Sequence, residues 1–127
     1  MKNCLVTGGS GFIGSHLVEQ LLSLGNRVVV LDDFSKGSLN NLSSVKGKIR
    51  VIRGDIRDKK ACLAACKRID WVFHLAALRS VPESMRKPEF YNQVNIEGTQ
   101  NMLEASLMNK VKKFIFASSS AVYGLAK

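Results

Sequence analysis

The feature that most constrains this chain is a glycine-rich turn between two apolar runs near its start. Its glycines are Gly8, Gly9, Gly11 and Gly14. Residues 4–6 before the turn have the character of a strand, and residues 13–24 after it have the periodicity of an amphipathic helix. Glycines at this spacing allow positive φ, let a pyrophosphate approach the backbone, and let the helix pack closely. The turn therefore predicts a dinucleotide site; the plainer alternative is an ordinary strand-to-helix connection.

The helix after the turn is predicted to present one apolar stripe to a sheet. That stripe comprises Ile13, Leu17, Leu21 and Leu24. Gly25 and Asn26 follow and are predicted to end the helix. The first N–H groups of a helix have no partner inside it, and its amino end carries a partial positive charge. We therefore expect the amino end of this helix to face phosphates.

An acidic pair follows the second predicted strand, residues 27–31. That strand is a continuous apolar and β-branched run, typical of parallel strands covered by helices on both faces. Asp32 comes 18 residues after Gly14, where a carboxylate can accept both hydroxyls of an adenosine ribose. Its charge would repel a 2′-phosphate, so Asp32, with Asp33 beside it, favours NAD over NADP. Two alternatives remain: the pair caps a turn, or Lys36 offsets the repulsion.

Three further strands are predicted, at residues 48–53, 70–75 and 112–117, with helical segments between them. Asp55 and Ile56 follow the third strand, where a carboxylate and an apolar side chain can hold an adenine. The alternation predicts one α/β domain. We expect a Rossmann-type doubly wound parallel sheet of about five strands with helices on both faces.

The longest predicted helix spans residues 89–109 and carries Asn95 beside its apolar face. The residues expected to point inward are Phe90, Val94, Met102, Leu103 and Ala105. An amide so near the core is expected to fix either a loop or the cofactor. His74, inside the fourth strand, is predicted to be a packed strand residue rather than a catalyst.

The composition fits one domain with a sizeable core, because 46% of the 127 residues are hydrophobic and 23% are charged. No apolar run approaches the roughly 20 residues that span a bilayer, and the first strand begins too early for a signal peptide. The three cysteines lack the spacing of a zinc site, and their odd number argues against a disulfide framework. We therefore expect a cytoplasmic protein with no membrane partner and no metal.

The net charge of +9, from 19 lysines and arginines against 10 acidic residues, raises the question of a nucleic-acid partner. The basic residues are scattered over strand starts and loops rather than along one helix, and no aromatic residues are interleaved with them. Solvated charge, with attraction for anionic nucleotides, accounts better for that pattern. We therefore expect no nucleic-acid partner.

Taken in order, several short motifs resemble the extended short-chain dehydrogenase/reductase family, the NAD-dependent nucleotide-sugar epimerases and dehydratases. They are residues 7–16 around the turn, Leu31-Asp32-Asp33, Gly54-Asp55-Ile56, His74-Leu75-Ala76-Ala77, Asn95-Ile96-Glu97-Gly98-Thr99, and residues 118–124, Ser-Ser-Ser-Ala-Val-Tyr-Gly. Residues 78–84, Leu-Arg-Ser-Val-Pro-Glu-Ser, look like UDP-hexose 4-epimerases, especially those acting on UDP-N-acetylglucosamine. The resemblance covers the whole chain and corresponds to the N-terminal part of such an enzyme.

The resemblance implies roles for individual residues. The backbone of the glycine turn would bind the pyrophosphate, the acidic strand ends would hold ribose and adenine, and the fourth strand end would border the nicotinamide half. The implied cofactor contacts are Gly8, Gly11, Phe12, Ile13, Gly14, Asp32, Asp33, Asp55, Ile56, Leu75, Ala76, Ala77 and Asn95. The implied catalytic residue is Ser119, whose hydroxyl would bond the sugar 4-OH and the phenol of a tyrosine.

The family's base is a tyrosine in a Tyr-x-x-x-Lys motif further along the chain, and no residue here matches it in position. Tyr123 and Lys127 have the same spacing, but the residues before Tyr123 place it elsewhere in the family pattern. We therefore expect residues 1–127 to be an incomplete NAD-binding domain without its C-terminal substrate domain, inactive alone. The parent would be a UDP-sugar 4-epimerase that transiently oxidises C4 of a UDP-hexose with bound NAD.

Two alternatives stay open. One is a fragment of a dTDP-glucose 4,6-dehydratase or UDP-glucuronate decarboxylase, although dehydratases usually have Thr-Asp-Glu where this chain has Ser119-Ser120-Ala121. The other is a non-catalytic dinucleotide-binding module. In either case a fifth strand left at the edge of the sheet invites self-pairing into a homo-oligomer.

Overall fold

Five parallel strands form one sheet in the computed structural model, which describes residues 1–125. The strands are β1 (Asn3–Thr7), β2 (Arg27–Asp32), β3 (Arg50–Arg53), β4 (Trp71–His74) and β5 (Lys113–Phe116). Their order is β3-β2-β1-β4-β5, and every neighbouring pair is parallel. The predicted Rossmann-type parallel sheet is confirmed. Because the strand order reverses between β1 and β4, a crevice opens beyond their carboxyl ends.

Helices cover both faces of the sheet. They are α1 (Phe12–Ser23), α2 (Lys59–Ala65), α3 (Val81–Arg86), α4 (Pro88–Asn92) and α5 (Gly98–Met108), with 3-10 helices at Leu39–Val45 and Ser120–Tyr123. Alternation along β1 builds two cores. Cys4 and Val6 pack in one core with Val18 of α1, whereas Leu5 packs in the other with Met102 of α5.

The buried residues of α1 differ from the apolar stripe predicted from the sequence. Leu21 is buried as expected, but Ile13 is 56% exposed and Leu24 is 68% exposed. Ile13 lies in the first turn of α1 and lines the cavity described below, and Leu24 follows the last residue of the helix, so only the middle turns reach the core. Gly14 is buried instead, because it lets the first turn of α1 approach the glycine turn. The helix ends as predicted, with Gly25 at φ +87°.

The predicted helix over residues 89–109 is not uniform. A π turn, Gln93–Glu97, joins α4 to α5. Its hydrogen bonds span five residues instead of the four of an α-helix. Downstream of it Met102 is buried as expected, but Leu103 is 48% exposed. The prediction for Leu103 was wrong, because Met102 and Ala105 form the buried face of α5 and Leu103 lies about 100° around the helix from Met102.

The cysteines are packed as free thiols. Cys4, Cys62 and Cys66 are buried and unbridged, and burial raises the pKa of Cys62 to about 12. Within residues 1–125 no helix has both the length and the apolar character needed to cross a bilayer. The same residues contain no group of three or more histidine, cysteine or acidic side chains placed to hold a metal ion.

Candidate functional site

The carboxyl ends of the strands border a cavity of about 650 Å³. Its walls are the glycine turn with the start of α1, the segment 75–81 after β4, and the segment 116–119 after β5. A crevice of about 70 Å³ adjoins it near the ends of β2 and β3. Gly8, Gly11 and residues 75–79 line both spaces. The two spaces therefore form one groove across the edge of the sheet.

The glycines of the turn have different roles. Gly8 has φ +71°, and a Cβ there would lie 2.9 Å from the backbone nitrogen of Ala76. A Cβ at Gly14 would overlap the carbonyl oxygen of Gly8. Gly11 meets only that same oxygen, at 3.4 Å. Its open side faces the cavity, so a phosphate can approach its backbone.

The amino end of α1 meets the cavity with its N–H groups uncovered. Gly11 precedes the first turn and provides no side-chain cap, and no acidic residue lies in that turn. The side chains of Phe12 and Ile13 are exposed beside it and line the cavity. This helix end is suited to an anion, which would satisfy the free N–H groups and the positive end of the helix dipole.

Asp32 anchors the glycine turn. Its Oδ2 accepts hydrogen bonds from the backbone N–H of Ser10 at 3.0 Å and from the Ser10 hydroxyl at 2.6 Å. Its Oδ1 accepts from the N–H of Phe34 at 2.9 Å. Asp32 is 8% exposed and lines the crevice. Because a carboxylate offers about four acceptor positions, Asp32 retains acceptor capacity for a ligand while it holds the turn.

The other two acidic positions have different partners. Asp33 is exposed, and its Oδ1 accepts from the N–H of Ser35 at 2.9 Å, which stabilises the turn after β2. Asp55 accepts from the guanidinium of Arg57 through both oxygens, at 2.6 to 3.2 Å. This hydrogen bonding lowers the pKa of Asp55. Asp55 is therefore ionised and borders the crevice.

Ile56 lies largely in the core. It is 5% exposed, and a Cβ on Gly98 of α5 would lie 2.5 Å from its Cδ1. Its carbonyl oxygen accepts from the side-chain amide of Asn101 at 3.0 Å. Ile56 also borders the crevice beside Asp55, so its contact with an adenine stays a prediction.

Two polar side chains on one side of the long helix fix the cavity wall after β4. They are Tyr91 and Asn95, four residues apart. Asn95 accepts from the N–H of Leu78 at 2.8 Å and donates to its carbonyl at 2.9 Å. The Tyr91 hydroxyl oxygen accepts from the N–H of Ser80 at 3.1 Å. Of the two roles expected for Asn95, the structure shows the loop-fixing one, and cofactor contact stays a prediction.

A hydrogen-bond chain joins β1, β4 and the long helix beneath the cavity. The hydroxyl oxygen of Thr7 accepts from the N–H groups of Leu75 and Ala76 at 3.0 and 3.1 Å, so its proton points to Nδ1 of His74, 2.7 Å away. The imidazole proton is thereby on Nε2, which donates to the Thr99 hydroxyl at 3.0 Å. His74 is thus a buried strand residue, as predicted from the sequence, and burial lowers its pKa so that it is neutral.

The unfolding free energy is expected to fall as the pH drops from 6.5 toward 4. Burial lowers the pKa of His74 from an ordinary 6.5 to about 4. Between these pH values His74 is protonated in the unfolded chain but not in the folded chain. The unfolding free energy therefore falls by about 1.4 kcal/mol per pH unit. Urea unfolding followed by circular dichroism at several pH values measures the slope.

The control for this slope is the other histidine. His74→Asn keeps an acceptor for the Thr7 hydroxyl but does not titrate, so it is expected to flatten the slope. His16→Asn changes an exposed residue of α1 and is expected to leave the slope unchanged. An identical slope in the wild type and in His74→Asn would contradict the assignment.

Ser119 lies on the β5 side of the cavity. It is exposed, and its Oγ accepts from the N–H of Ala121 at 3.1 Å at the start of a 3-10 helix. Tyr123 in that helix is 85% exposed. Lys127, its partner in the formal Tyr-x-x-x-Lys spacing, lies outside the described residues. The catalytic role of Ser119 stays a prediction.

Four positions in this site were not singled out from the sequence: Thr7, Ser10, Tyr91 and Thr99. Ser10 is completely buried, and its carbonyl accepts from the side-chain amide of Asn41 at 2.8 Å. It therefore ties the glycine turn to the segment after β2 as well as to Asp32. The four-residue spacing along the long helix was the one local signal that pointed to such a set.

The parallel sheet, with its glycine turn at the switch point, defines a Rossmann-type domain. Residues 4–127 match the NAD dependent epimerase/dehydratase family. The chain belongs to that family.

Among curated relatives, the chain is 45% identical over 123 residues to a UDP-N-acetyl-alpha-D-glucosaminuronate decarboxylase of Bacillus cytotoxicus. The match covers 97% of this chain and 38% of the decarboxylase. The chain therefore spans well under half the length of that relative.

Two solved structures are similar over the same part. A UDP-N-acetylglucosamine 4-epimerase from Methanobrevibacter ruminantium, in complex with UDP-N-acetylmuramic acid, has 45% identity and a TM-score of 0.88, covering 97% of this chain and 39% of its own. A UDP-glucose-4-epimerase from Stenotrophomonas maltophila, with bound NAD and formylated UDP-arabinopyranose, has 35% identity and a TM-score of 0.90, covering 100% and 40%.

Proposed function

We propose that this chain is the NAD-binding part of a UDP-sugar 4-epimerase of the UDP-glucose or UDP-N-acetylglucosamine type. The observation that carries the proposal is the groove beyond the carboxyl ends of the strands. There the uncapped amino end of α1 and the open side of Gly11 are suited to a diphosphate, and the fixed wall at residues 75–81 faces them. The likeness to two 4-epimerase structures supports the choice of reaction.

The residues fit a dinucleotide in an extended arrangement. The backbone of Gly11, Phe12 and Ile13 would hold the diphosphate. Asp32, with acceptor capacity left over from Ser10, would hold the adenosine ribose. Asp55 borders the crevice as an ionised acceptor, which suits the exocyclic amine of an adenine.

At the other end of the groove, small residues would leave room for a flat ring. Leu75, Ala76 and Ala77 border the cavity, and Asn95 holds the chain that follows them. NAD, when bound, would take up hydride from C4 of the sugar and return it. The residues of this chain would bind and orient the cofactor and the sugar, and the Ser119 hydroxyl would hydrogen-bond the sugar 4-OH.

A second candidate is a nucleotide-sugar decarboxylase, favoured by the 45% identity to the Bacillus cytotoxicus enzyme. Both reactions begin by oxidation at C4, so both make the same demand on the residues of this groove. Arg79 borders the cavity, and a cation there suits any of these anionic substrates. We also propose that β5, at the open edge of the sheet, pairs either with a later segment of a longer protein or with a second copy.

Dinucleotide binding tests the cofactor assignment. Calorimetric titration of the 127-residue chain with NAD and NADP is expected to show NAD binding, with NADP at least about tenfold weaker because the Asp32 carboxylate repels a 2′-phosphate. Asp33→Asn, at the exposed neighbour, is expected to keep most of that preference. Equal affinity for NADP would contradict the role of Asp32, and a folded chain that binds neither dinucleotide would contradict the cofactor assignment.

Turnover tests the reaction. The 127-residue chain is expected not to interconvert UDP-glucose and UDP-galactose, or their N-acetyl forms, because no tyrosine base occupies its family position. A longer protein read from the gene around this stretch is expected to do so. Release of carbon dioxide from a UDP-uronate by that longer protein, without epimerisation, would instead establish the decarboxylase.

A further inference from the structure

The end of the sheet at which the strands begin, opposite the groove, carries the excess positive charge of the chain. In a parallel sheet all strands begin at one edge, so the segments that lead into them lie side by side. Segments 1–3, 24–27, 46–50, 66–71 and 109–113 contain ten of the 19 lysines and arginines. We call this surface the basic edge. The sequence pattern made these residues look scattered, and the topology gathers them.

One acidic residue, Asp70, lies in those segments. The rest of the chain has nine basic and nine acidic residues. The basic edge therefore accounts for the whole net charge of +9. The carboxylate of Asp70 is engaged by the backbone N–H of Asn3 at 2.9 Å. Within residues 1–125 the single ion pair joins Arg57 to Asp55 at the other end of the sheet. Within the described residues, no ion pair neutralises the charges of the basic edge.

The basic edge is built on hydrogen-bonded backbone. The N–H of Arg27 donates to the carbonyl of Lys2 at 3.0 Å, and the N–H of Lys112 donates to the carbonyl of Asp70 at 2.8 Å. Five strands spaced about 4.8 Å apart spread the charge over roughly 20 Å. The backbone positions that carry the charges are thus held in a row.

The negative ends of the helix dipoles do not cancel this positive charge. The carboxyl ends of α1, α2 and α5 lie at the same edge, and each carries about half a negative charge. Together they offset about one and a half of the nine positive charges. Most of the positive potential of the basic edge remains available to an outside partner.

Exposed apolar side chains within the basic edge and at the adjoining end of α5 indicate what that partner is. They are Met1 at 80%, Leu24 at 68%, Leu107 at 81% and Met108 at 70% exposure. The aromatic ring there, Trp71, lies 5.9 and 5.1 Å from the ammonium groups of Lys2 and Lys113. Those lysines cover it, so it is not a platform for stacking a base. Basic residues flanked by exposed apolar ones are typical of proteins that lie on anionic membranes.

We propose that the basic edge binds the anionic surface of a lipid bilayer, with the dinucleotide groove facing away from it. The lysines and arginines contact acidic headgroups, and Met1, Leu24, Leu107 and Met108 enter the headgroup layer. This contact departs from the expectation of no membrane partner, which rested on the absence of a spanning segment. It is independent of the reaction proposed above, because it uses the opposite edge of the sheet.

Vesicle co-sedimentation tests the contact. The 127-residue chain is expected to bind vesicles that contain phosphatidylglycerol and not vesicles of pure phosphatidylcholine, and to be released as salt rises. Replacing Lys46, Lys48, Lys67 and Lys112 together with glutamine is expected to lower the partition coefficient at least about a hundredfold. The matched control removes four exposed charges elsewhere, Lys59, Lys60, Arg86 and Lys87, and is expected to lower it less than about threefold.

A second pair of variants separates a membrane from other polyanions. Leu24→Ser with Met108→Ser is expected to weaken vesicle binding severalfold without changing the salt dependence. Equal losses in the two charge variants would overturn the proposal, because net charge alone would then explain binding. Tighter binding of duplex DNA than of anionic vesicles at equal phosphate concentration, or no vesicle binding at low salt, would also overturn it.

Discussion

Gly14→Ala is expected to destabilise the chain by about 3 kcal/mol or more, toward the upper end of what overpacking costs. The added methyl group would overlap the carbonyl oxygen of Gly8 and lie 2.8 Å from the Cα of Gly9. Both atoms are backbone, and Gly8 is further held against the wall at Ala76. No side chain can turn aside to make room. Urea unfolding followed by circular dichroism measures the loss.

The matched control is the same substitution three residues earlier. A Cβ at Gly11 would meet the carbonyl oxygen of Gly8 at 3.4 Å, so Gly11→Ala is expected to cost less than about 1 kcal/mol of stability. The methyl group would instead enter the space assigned to the diphosphate, and NAD affinity is expected to fall at least about tenfold. Equal stability of the two variants would show that close packing at Gly14 is not what the turn requires.

Thr7→Val is expected to destabilise the chain by about 2 to 4 kcal/mol, although valine has nearly the shape of threonine. Thr7 is fully buried. Without its hydroxyl, the N–H of Ala76 and Nδ1 of His74 have no partner, while the N–H of Leu75 keeps a contact with the carbonyl of Thr7 at 3.2 Å. Because valine nearly fills the space of threonine, the loss of stability comes mainly from these two unpaired polar groups.

Thr7→Ser separates the hydroxyl from the methyl group. It keeps every hydrogen bond of the chain through His74 and removes one buried methyl, so a cost of about 1 kcal/mol is expected. A thermal or urea titration of both variants compares them directly. If serine proves as damaging as valine, packing of the threonine methyl, and not the hydrogen-bond chain, stabilises the end of β4.

The fold was largely predictable because its signals are local. The β-branched run of β2, the helix period after the glycine turn and the helix end at Gly25 and Asn26 are each set by residues close together in the sequence. Parallel topology followed from their alternation. The interrupted helix was missed because residues 93–97 carry no propensity signal for a π turn.

The site was predictable in position but not in its internal bonds. The acidic and small residues at strand ends were expected at the groove, and the structure brings them there. The bonds of Ser10 to Asp32, and of Thr7 to His74, join residues far apart in sequence, so no local pattern shows them. The basic edge was missed for the same reason, since its charges become neighbours only when the strands align.

The π turn has a consequence for which changes this chain can tolerate. An α-helix advances about 100° per residue, so side chains four apart drift by about 40° at each step. The wider turn at Gln93–Glu97 offsets that drift, and Tyr91, Asn95 and Thr99 bond Ser80, Leu78 and His74 respectively. The number of residues there matters more than their identity. An exposed position such as Glu97 is expected to tolerate substitution, whereas loss of a single residue is expected to rotate Tyr91 away from the wall that it holds.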